Sequence, residues 1–456
     1  MRGDEKRSSS LPRAVIVLGW VSFFTDASAD MIYPLVPAFL MSLGGGATAL
    51  GWLEGVAEAV SAGIKLWAGR SIDKAAHPKR FVVAGYGIAA LARPLYALAT
   101  APVHAVLVRV ADRVGKGLRG PPRDAMLAAA VDPARRGHAF GYHRMMDNFG
   151  GVAGPLLAFV FLRLAELPLR QVFVLSVVPG LASVVIAQVF LKEPPKHPES
   201  QSTGKPESQS ATGAETQSAN DSNSQSPHKP ESQSATGAES QSTRDPKSQS
   251  TDKPEGQSTD KPAPGEVEAA RALPWGFFLV TGVFALAASG DLFLMRRLTD
   301  LGLDVAYVPV AWVSLQLMKG LFNVPGGRAS DTYGRRPVLA VAWGVYSATY
   351  FAFGLASTWW AAWMLIVPYA LHYGLAEGGQ KALLTDLAPK SVRGRAFGVQ
   401  LAIEGVIVLP ANVGFGWLSD RFGARAAFWS AGGCALLAAV LLLLVVPGRR
   451  PEPARD

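Results

Sequence analysis

The chain has 456 residues, of which 49% are hydrophobic and only 17% are charged, and its formal net charge is +9. Soluble domains carry about 25% charged residues, so this composition argues against an ordinary soluble enzyme. Residues 193–270 hold thirteen Asp or Glu against seven Lys or Arg, which leaves +15 on the rest of the chain. Basic charge beside long apolar runs favours a membrane protein over a nucleic-acid binder.

Twelve runs are mostly apolar and reach the length of about 20 residues that a helix needs to cross a bilayer. They lie near 14–41, 48–68, 81–101, 104–130, 138–162, 171–191, 273–295, 305–325, 337–356, 359–385, 396–417 and 426–446. We predict an all-α membrane protein with a cytoplasmic tail (1–13), a six-helix bundle (14–192), a linker (193–270), a second six-helix bundle (271–447) and a cytoplasmic tail (448–456).

Lys and Arg concentrate in the loops that follow the even-numbered spans, for example at Arg135, Arg136 and Lys390. Positive charge stays on the cytoplasmic side of a membrane. We therefore predict a multi-pass protein of the cell (inner) membrane with both termini in the cytoplasm. Two outer turns, around Arg296 and around 420–425, fit this pattern less well.

The segment 193–270 is of low complexity, and its residues 205–215 recur at 229–239. Such a composition cannot bury enough apolar surface to fold, so we expect a disordered cytoplasmic linker. Cys434 is the single cysteine and lies in an apolar run. It therefore allows no intrachain disulfide, and we expect it to pack in the protein interior.

The two halves of the chain repeat each other. The pattern Gly-Arg-x-x-Asp at 69–73 recurs at 327–331, and Arg-Gly-x-Ala-Phe-Gly at 136–141 recurs at 393–398. The offsets are 258 and 257 positions, and both patterns lie at corresponding loops. Two matches at nearly one offset indicate a parallel repeat of two pseudo-symmetric bundles.

Ionisable side chains inside the predicted helices are the main functional signal. Each costs about 2.5–3.5 kcal/mol at the bilayer centre, so it must face protein or water. Asp26 and Asp30 lie four residues apart and share one helix face. The candidates for proton coupling are Asp26, Asp30, Glu54, Glu58, Asp112 and Asp147. Asp30 and Asp147 come first because they lie near mid-span; the alternative is a static salt-bridge network.

Basic, polar and aromatic side chains on the same helices are candidates for a substrate cavity. The second half carries fewer charges, so we expect it to contribute more to the shape of the cavity. The candidates are Arg109, Arg113, Lys116, His143, Arg144, Trp52, Tyr142, Gln316, Lys319 and Glu404. In the run 112–124, Gly and Pro suggest an anion-binding or gating strip on a broken helix, or else a solvated helix end.

At the repeated loops, the sequence resembles the major facilitator superfamily, whose two six-helix halves enclose a site at the membrane midplane. The family's loop motif A, associated with gating, is matched by Gly327, Asp331, Gly334, Arg335 and Arg336, and less well by Gly69, Asp73, Lys74 and Arg80. The resemblance implies alternating access. Without it, these residues are topological charge on tight turns.

Two further motifs bear on direction. Gly150, Gly154 and Pro155 are similar to the family's motif C, which is associated with antiporters, and without the family they indicate a packing kink. Arg109 is similar to the Arg of motif B, associated with proton transfer in drug/proton antiporters, although Asp112 and Arg113 depart from that motif. The resemblance implies proton-coupled efflux of a small molecule.

The leading prediction is a monomeric carrier in a lipid bilayer that moves a small-molecule substrate and protons. The alternatives are an importer or facilitator of a small anion or metal ion, for which His143 and His372 are suggestive, and a non-transporting receptor of the same fold. No set of nucleophile, base and orienting residue stands out, so we expect neither an enzyme nor a cofactor or bound metal. We expect no nucleic-acid partner.

Overall fold

The computed structural model describes residues 11–72, 78–131, 136–192, 273–389 and 392–447. Within these ranges, all regular secondary structure is helical. The predicted linker 193–270, the C-terminal tail 448–456 and most of the N-terminal tail lie outside the described residues. The described helices group into twelve spans, numbered here in chain order.

The first half contains spans 1 to 6. Their bounds are Arg13–Asp30 and Val36–Ser42 (span 1), Ala47–Ile72 (span 2), Pro78–Ala92 with the 3₁₀ turn Arg93–Leu98 (span 3), Pro102–Ala129 (span 4), Arg136–Phe159 with Val160–Leu164 (span 5), and Leu169–Leu175 and Val177–Phe190 (span 6).

The second half contains spans 7 to 12. Their bounds are Trp275–Ala287 and Leu292–Asp300 (span 7), Val308–Tyr333 (span 8), Arg335–Leu355 (span 9), Trp359–Met364 and Ile366–Leu387 (span 10), Arg393–Phe422 (span 11), and Ala424–Val445 (span 12). The prediction of twelve helices is confirmed. Span 8 continues to Tyr333, eight residues beyond its predicted end.

The repeat is visible in the helix positions. Spans 3, 4 and 5 begin at Pro78, Pro102 and Arg136, and spans 9, 10 and 11 each begin 257 positions later. Across the two halves, span 2 packs against span 11, and span 5 packs against span 8. These two contacts hold the bundles side by side.

The surface of the described part of the chain is apolar. Leu98, Val406 and Leu444 are each more than 70% exposed, and many other large apolar side chains are exposed too. A soluble protein exposes no such continuous apolar area. Nine of the described helical segments are long and apolar enough to cross a membrane. The remaining spans, 2, 4 and 10, each carry both acidic and basic side chains.

Spans 1 and 7 are interrupted at similar depths. In span 1 the interruption is a 3₁₀ turn that contains Pro34, which has no backbone N–H to donate. In span 7 it lies between Ala287 and Leu292, where the Gly290 N–H donates to Asn412 Oδ1 of span 11 at 2.9 Å. Backbone groups freed inside a membrane need such partners. The interruption of span 7 is therefore tied to the facing helix.

Of the two interpretations of residues 112–124, the one with a broken helix is wrong. Pro102–Ala129 is a single helix that continues through Pro121 and Pro122. Each proline removes one backbone hydrogen bond, but the helix is 28 residues long and packs against spans 2 and 3. Neighbouring helices can support proline within a membrane helix, so the basic side chains of span 4 lie on one continuous surface.

Candidate functional site

A cavity of about 1090 Å³ lies between the two halves. Its walls come from spans 1, 3, 4 and 5 of the first half and from spans 7, 8 and 10 of the second. Charged side chains dominate these walls, and most of them belong to the first half. Polar groups within a membrane protein face such an interior or each other. This cavity is therefore the candidate functional site.

Many of the sequence-predicted residues line the cavity. These are Asp26, Asp30, Asp112, Asp147, Arg109, Arg113, Lys116, Arg144, Gln316 and Lys319. The other candidates do not line it. Glu54 and Glu58 form ion pairs with the cavity residues Arg109 and Arg113. Trp52 is 47% exposed on span 2, Tyr142 packs near Gly19 of span 1, and Glu404 accepts hydrogen bonds from Gln380 and Gln400.

A buried ion-pair network occupies the first half. Arg93 Nε lies 2.9 Å from Asp112 Oδ1, and Arg109 lies 3.7 Å from the other oxygen of Asp112. Arg109 also pairs with Glu54 at 3.1 Å, and Tyr33 donates to the second oxygen of Glu54 at 2.5 Å. Both carboxylates therefore have two partners each. Groups held in this way are suited to fixing the helices together.

Asp26 and Asp30 differ from the network. They lie on the cavity wall of span 1, and neither has a cation of the described residues within ion-pair distance. The charges that act on them at longer range are those of Arg109, Lys116, Arg119 and Arg123 on span 4, Arg93 on span 3 and Asp147 on span 5, and the two acids repel each other. A carboxylate without a fixed partner can exchange a proton without breaking a salt bridge.

Asp147 on span 5 contacts a histidine. Its Oδ2 lies 3.5 Å from His143 Nδ1, and the other ring nitrogen of His143 lies 3.1 Å from Ser22 Oγ. Asp147 Oδ1 is buried and has no hydrogen-bond partner among the described residues. The chain Ser22, His143, Asp147 runs from span 1 to the cavity wall. It places three groups that can donate or accept a proton in series, as a proton path requires.

The second half contributes a partly buried ion pair to the cavity wall. Lys319 Nζ lies 2.6 Å from Asp291 Oδ2, and Tyr369 donates to Asp291 Oδ1 at 2.6 Å. Asp291 directly precedes the second helix of span 7, and the Lys319 ammonium lies 4.2 Å from the ring centroid of Tyr373. The pair joins spans 7, 8 and 10 at the cavity wall.

Several site residues were missing from the sequence-predicted set. They are Tyr33, Arg93, Arg119 and Asp291. Arg93 and Asp291 carried a usable signal, because each is a charge within an otherwise apolar run. Among the described residues, no three His, Cys, Asp or Glu side chains converge as metal ligands would.

The cavity is closed at the end where span 2 begins and span 11 ends. Asp420 of span 11 accepts hydrogen bonds of 2.7 Å from the N–H groups of Ala47 and Thr48. A methyl group on Gly416 would overlap the carbonyl oxygen of Ala47, so the two backbones are in contact. Farther into the bundle, the rings of Tyr33 and Trp312 meet at 5.0 Å. Both halves thus seal this end.

Glycines of motif C place span 5 against span 1. Methyl groups on Gly150 and Gly154 would overlap the carbonyl oxygens of Phe23 and Ala27. Glycine at both positions therefore permits backbone contact between the helices. Pro155 follows inside the same helix. This contact fixes the distance between the acids of span 1 and Asp147 of span 5.

The described residues of motif A are not among those that line the cavity. Arg335 pairs with Asp386 of span 10 at 2.7 Å and donates to the Ala382 carbonyl, and Arg336 donates to carbonyls at the end of span 12. Gly334 has a φ of 92°, which glycine adopts without strain. Gly327 lies in span 8, and Asp331 and Arg80 are exposed. Asp73 and Lys74 lie outside the described residues, and Gly69 lies in the last turns of span 2.

Comparisons with known proteins agree with this architecture. The chain is 25% identical to an uncharacterised MFS-type transporter of Methanocaldococcus jannaschii over 98% of both chains. It is 30% identical to the multidrug resistance protein MdtH of Photorhabdus laumondii over 28% of this chain and 32% of that relative.

Solved structures share the fold. The nucleoside transporter NupG superposes with a TM-score of 0.68 at 11% identity, covering 96% of this chain and 100% of that chain. A D-xylose-proton symporter superposes with a TM-score of 0.64 at 14% identity, covering 96% and 97%. A sequence profile matches residues 18–315 and 275–456. With its twelve spans and its shared central cavity, the chain belongs to the Major Facilitator Superfamily of membrane transporters.

Proposed function

We propose that this transporter exports a small molecule in exchange for protons by alternating access. The observation that carries the proposal is the position of Asp26 and Asp30, two acids without ion-pair partners on the wall of a cavity that both halves share. Acids in this position can bind either a proton or a positively charged part of a substrate. Competition for one site is the simplest basis of antiport.

The proposed coupling acts through the charge on span 1. When Asp26 and Asp30 are ionised, they can bind the positively charged part of a substrate, which stabilises the substrate-bound state. When they are protonated, the attraction between span 1 and the basic groups of span 4 is lost, and the balance between the two packings changes. The ion-paired Glu54 and Asp112 stay in the framework, while Asp147 with His143 offers a route for the proton.

Efflux is the proposed direction because of two similarities. The packed glycines Gly150 and Gly154, with Pro155, match a motif associated with antiporters. The partial relative MdtH carries the name of a multidrug resistance protein. The nucleoside and xylose transporters are similar in fold alone, so they say nothing about this substrate.

We further propose that the protein lies in the inner membrane with its termini in the cytoplasm. The exposed basic residues Arg80 and Arg328 lie at the ends of spans opposite the closed end, and positive charge favours the cytoplasm. The end sealed by Asp420 would then face outward. The cavity, which extends to Arg123 and Arg144, would open to the cytoplasm.

Proteoliposomes with an imposed pH gradient test the proposed function. Candidate small molecules are added outside while a trapped dye reports the luminal pH. Entry of an antiported substrate drives protons out of the lumen, so the luminal pH rises. We expect this exchange in the wild type and its loss in Asp26→Asn and Asp30→Asn. Asp304→Asn is the matched control, because Asp304 is exposed and caps a turn outside the cavity. Exchange that persists unchanged in both cavity variants would contradict the proposal.

Import of a small anion is the second candidate, because Lys116 and Arg144 line the cavity without an ion pair among the described residues. It predicts uptake that an inward proton gradient stimulates. A protein that has lost transport would show no flux in either direction. The same proteoliposomes therefore separate the three functions.

A further inference from the structure

Span 4 carries a row of four basic side chains that we call the basic strip: Arg113, Lys116, Arg119 and Arg123. Their spacings of three, three and four residues place them on one helix face. All four line the cavity. Because span 4 is one uninterrupted helix, the strip forms a continuous basic surface.

The ends of the strip are neutralised, and its middle is not. Arg113 pairs with Glu58 at 2.8 Å, and Arg123 pairs with Asp124 at 2.9 Å. Lys116 and Arg119 have no carboxylate of the described residues within ion-pair distance. Arg119 is only 5% exposed, yet its Nη1 has no hydrogen-bond partner among those residues. Its guanidinium lies 4.4 Å from the ring centroid of Tyr86.

Arg119 is a buried cation without an anion in contact, which is costly, whereas Lys116 is exposed along the cavity wall. Elsewhere in the cavity, buried charges meet directly, as Lys319 and Asp291 do at 2.6 Å. Asp26 and Asp30 act on Lys116 and Arg119 only at longer range. The cavity therefore holds two sets of opposite charge, on span 1 and on span 4, which do not neutralise each other by contact.

We infer that the transported substrate is a zwitterion, with a carboxylate bound by Lys116 and Arg119 and an ammonium group bound by Asp26 and Asp30. The inference deepens the proposed function and rests on it. Protons on Asp26 and Asp30 would strengthen the hold of the cavity on a purely anionic substrate, which is the wrong sign for antiport. The same protons displace an ammonium group from Asp26 and Asp30. A substrate with both charges therefore supplies an anion for the basic strip and a cation that exchanges with protons.

The walls also contain apolar surface for the body of such a substrate. Trp312, Tyr373 and Phe149 line the cavity between or beside the charged groups. Aromatic rings bury large areas and accept an ammonium group on their faces. A small aromatic zwitterion is therefore a suitable probe.

The test measures binding to the purified full-length protein in detergent, with no pH gradient. Three probes share one skeleton: para-aminomethylbenzoate is a zwitterion, para-methylbenzoate is an anion and para-methylbenzylamine is a cation. We expect the zwitterion to bind about tenfold more tightly than either singly charged probe. Calorimetric titration gives the three affinities.

Variants of the cavity residues test which side chains bind the carboxylate of the probe and which bind its ammonium group. Arg119→Gln and Lys116→Gln are expected to lower zwitterion affinity about tenfold, to the level of the cation probe, whose own affinity stays unchanged. Asp30→Asn is expected to lower the affinity for the zwitterion to the level of the anion probe. Arg119→Lys, which keeps the charge, restores part of the affinity. The control is Arg395→Gln, because Arg395 is exposed on span 11 and outside the cavity lining.

Two results would overturn the inference. One is the absence of binding by both carboxylate probes. The other is zwitterion affinity that Arg119→Gln and Lys116→Gln leave unchanged, with both variants folded by thermal unfolding. Failure of the proposed function is a separate result. In that case, the zwitterion binds and responds to the variants, but an imposed pH gradient drives no exchange in proteoliposomes.

Discussion

Asp420 holds Thr48 through two hydrogen bonds of 2.7 Å, one from the backbone N–H and one from the side-chain hydroxyl, although 372 positions separate the two residues. The same carboxylate accepts the N–H of Ala47. A residue of the second half thus caps the first turn of span 2 in the first half. The contact can exist only while this end of the transporter is closed.

Removing this cap should open the closed end. A helix cap contributes about 0.5–2 kcal/mol, so Asp420→Ala is expected to shift the population toward the state in which spans 2 and 11 are apart. Spin labels at the exposed positions Met41 and Phe422, in a Cys434→Ser background, report the distance between the two halves at this end. We expect a longer distance to gain population.

The matched control for the cap is Asp304→Asn. Asp304 is an exposed acid near the start of span 8 and accepts from the N–H of Ala306 within its own half. Its loss should leave the distance distribution unchanged. An Asp420→Ala variant with the wild-type distribution would show that the remaining contacts, including the backbone contact at Gly416, keep this end shut without the cap.

The glycine contact between spans 1 and 5 gives a second prediction. A methyl group on Gly154 would overlap the Ala27 carbonyl, whereas nothing lies within 4 Å of a methyl group on Gly141 of the same span. Gly154→Ala should therefore separate the helices and lower the thermal unfolding temperature in detergent. Gly141→Ala should raise it or leave it unchanged, because alanine favours a helix by about 1 kcal/mol over glycine. Equal effects of the two substitutions would exclude close packing as the role of Gly154.

The ion pair of the second half gives a third prediction. Breaking a buried pair by removing one partner costs about 3–5 kcal/mol, while replacing both partners by apolar residues can be nearly neutral. Lys319→Met alone should therefore destabilise the protein more than Lys319→Met combined with Asp291→Leu. Unfolding by heat or denaturant in detergent compares the two variants. A double variant that is less stable than the single one would mean that Asp291 acts mainly through Tyr369, which donates to it.

The fold could be predicted from the sequence alone because membrane-spanning helices are recognisable as long apolar runs. It also found most of the charged residues that line the cavity, since an ionisable side chain in such a run has to face the interior. Arg113 and Lys319 were found in this way.

The pairing of these charges could not be predicted, because it depends on how separate helices pack. Asp30 and Glu54 look alike in the sequence, each an acid in an apolar helix. In the structure, Glu54 is held by Arg109 and Tyr33, while Asp30 has no ion-pair partner among the described residues. Asp420 fitted the charge pattern of the loops poorly, and its role as a cap becomes visible only when span 2 is placed beside it.

The pH dependence of binding gives the last prediction. If protons and the ammonium group of a zwitterion compete for Asp26 and Asp30, affinity for para-aminomethylbenzoate rises from mildly acidic to mildly alkaline pH. The charged groups that face these two acids are Arg109, Lys116, Arg119 and Arg123 from span 4, Asp147 from span 5 and Arg93 from span 3, and the two acids also face each other. A proton on Asp147, a further acid on the cavity wall, is the alternative source of such a curve. Asp26→Asn with Asp30→Asn should flatten the curve, whereas Asp147→Asn should retain its rise, and calorimetric titrations across this pH range distinguish the two. A rise that survives in the double variant and disappears in Asp147→Asn would assign the competing proton to span 5 instead of span 1.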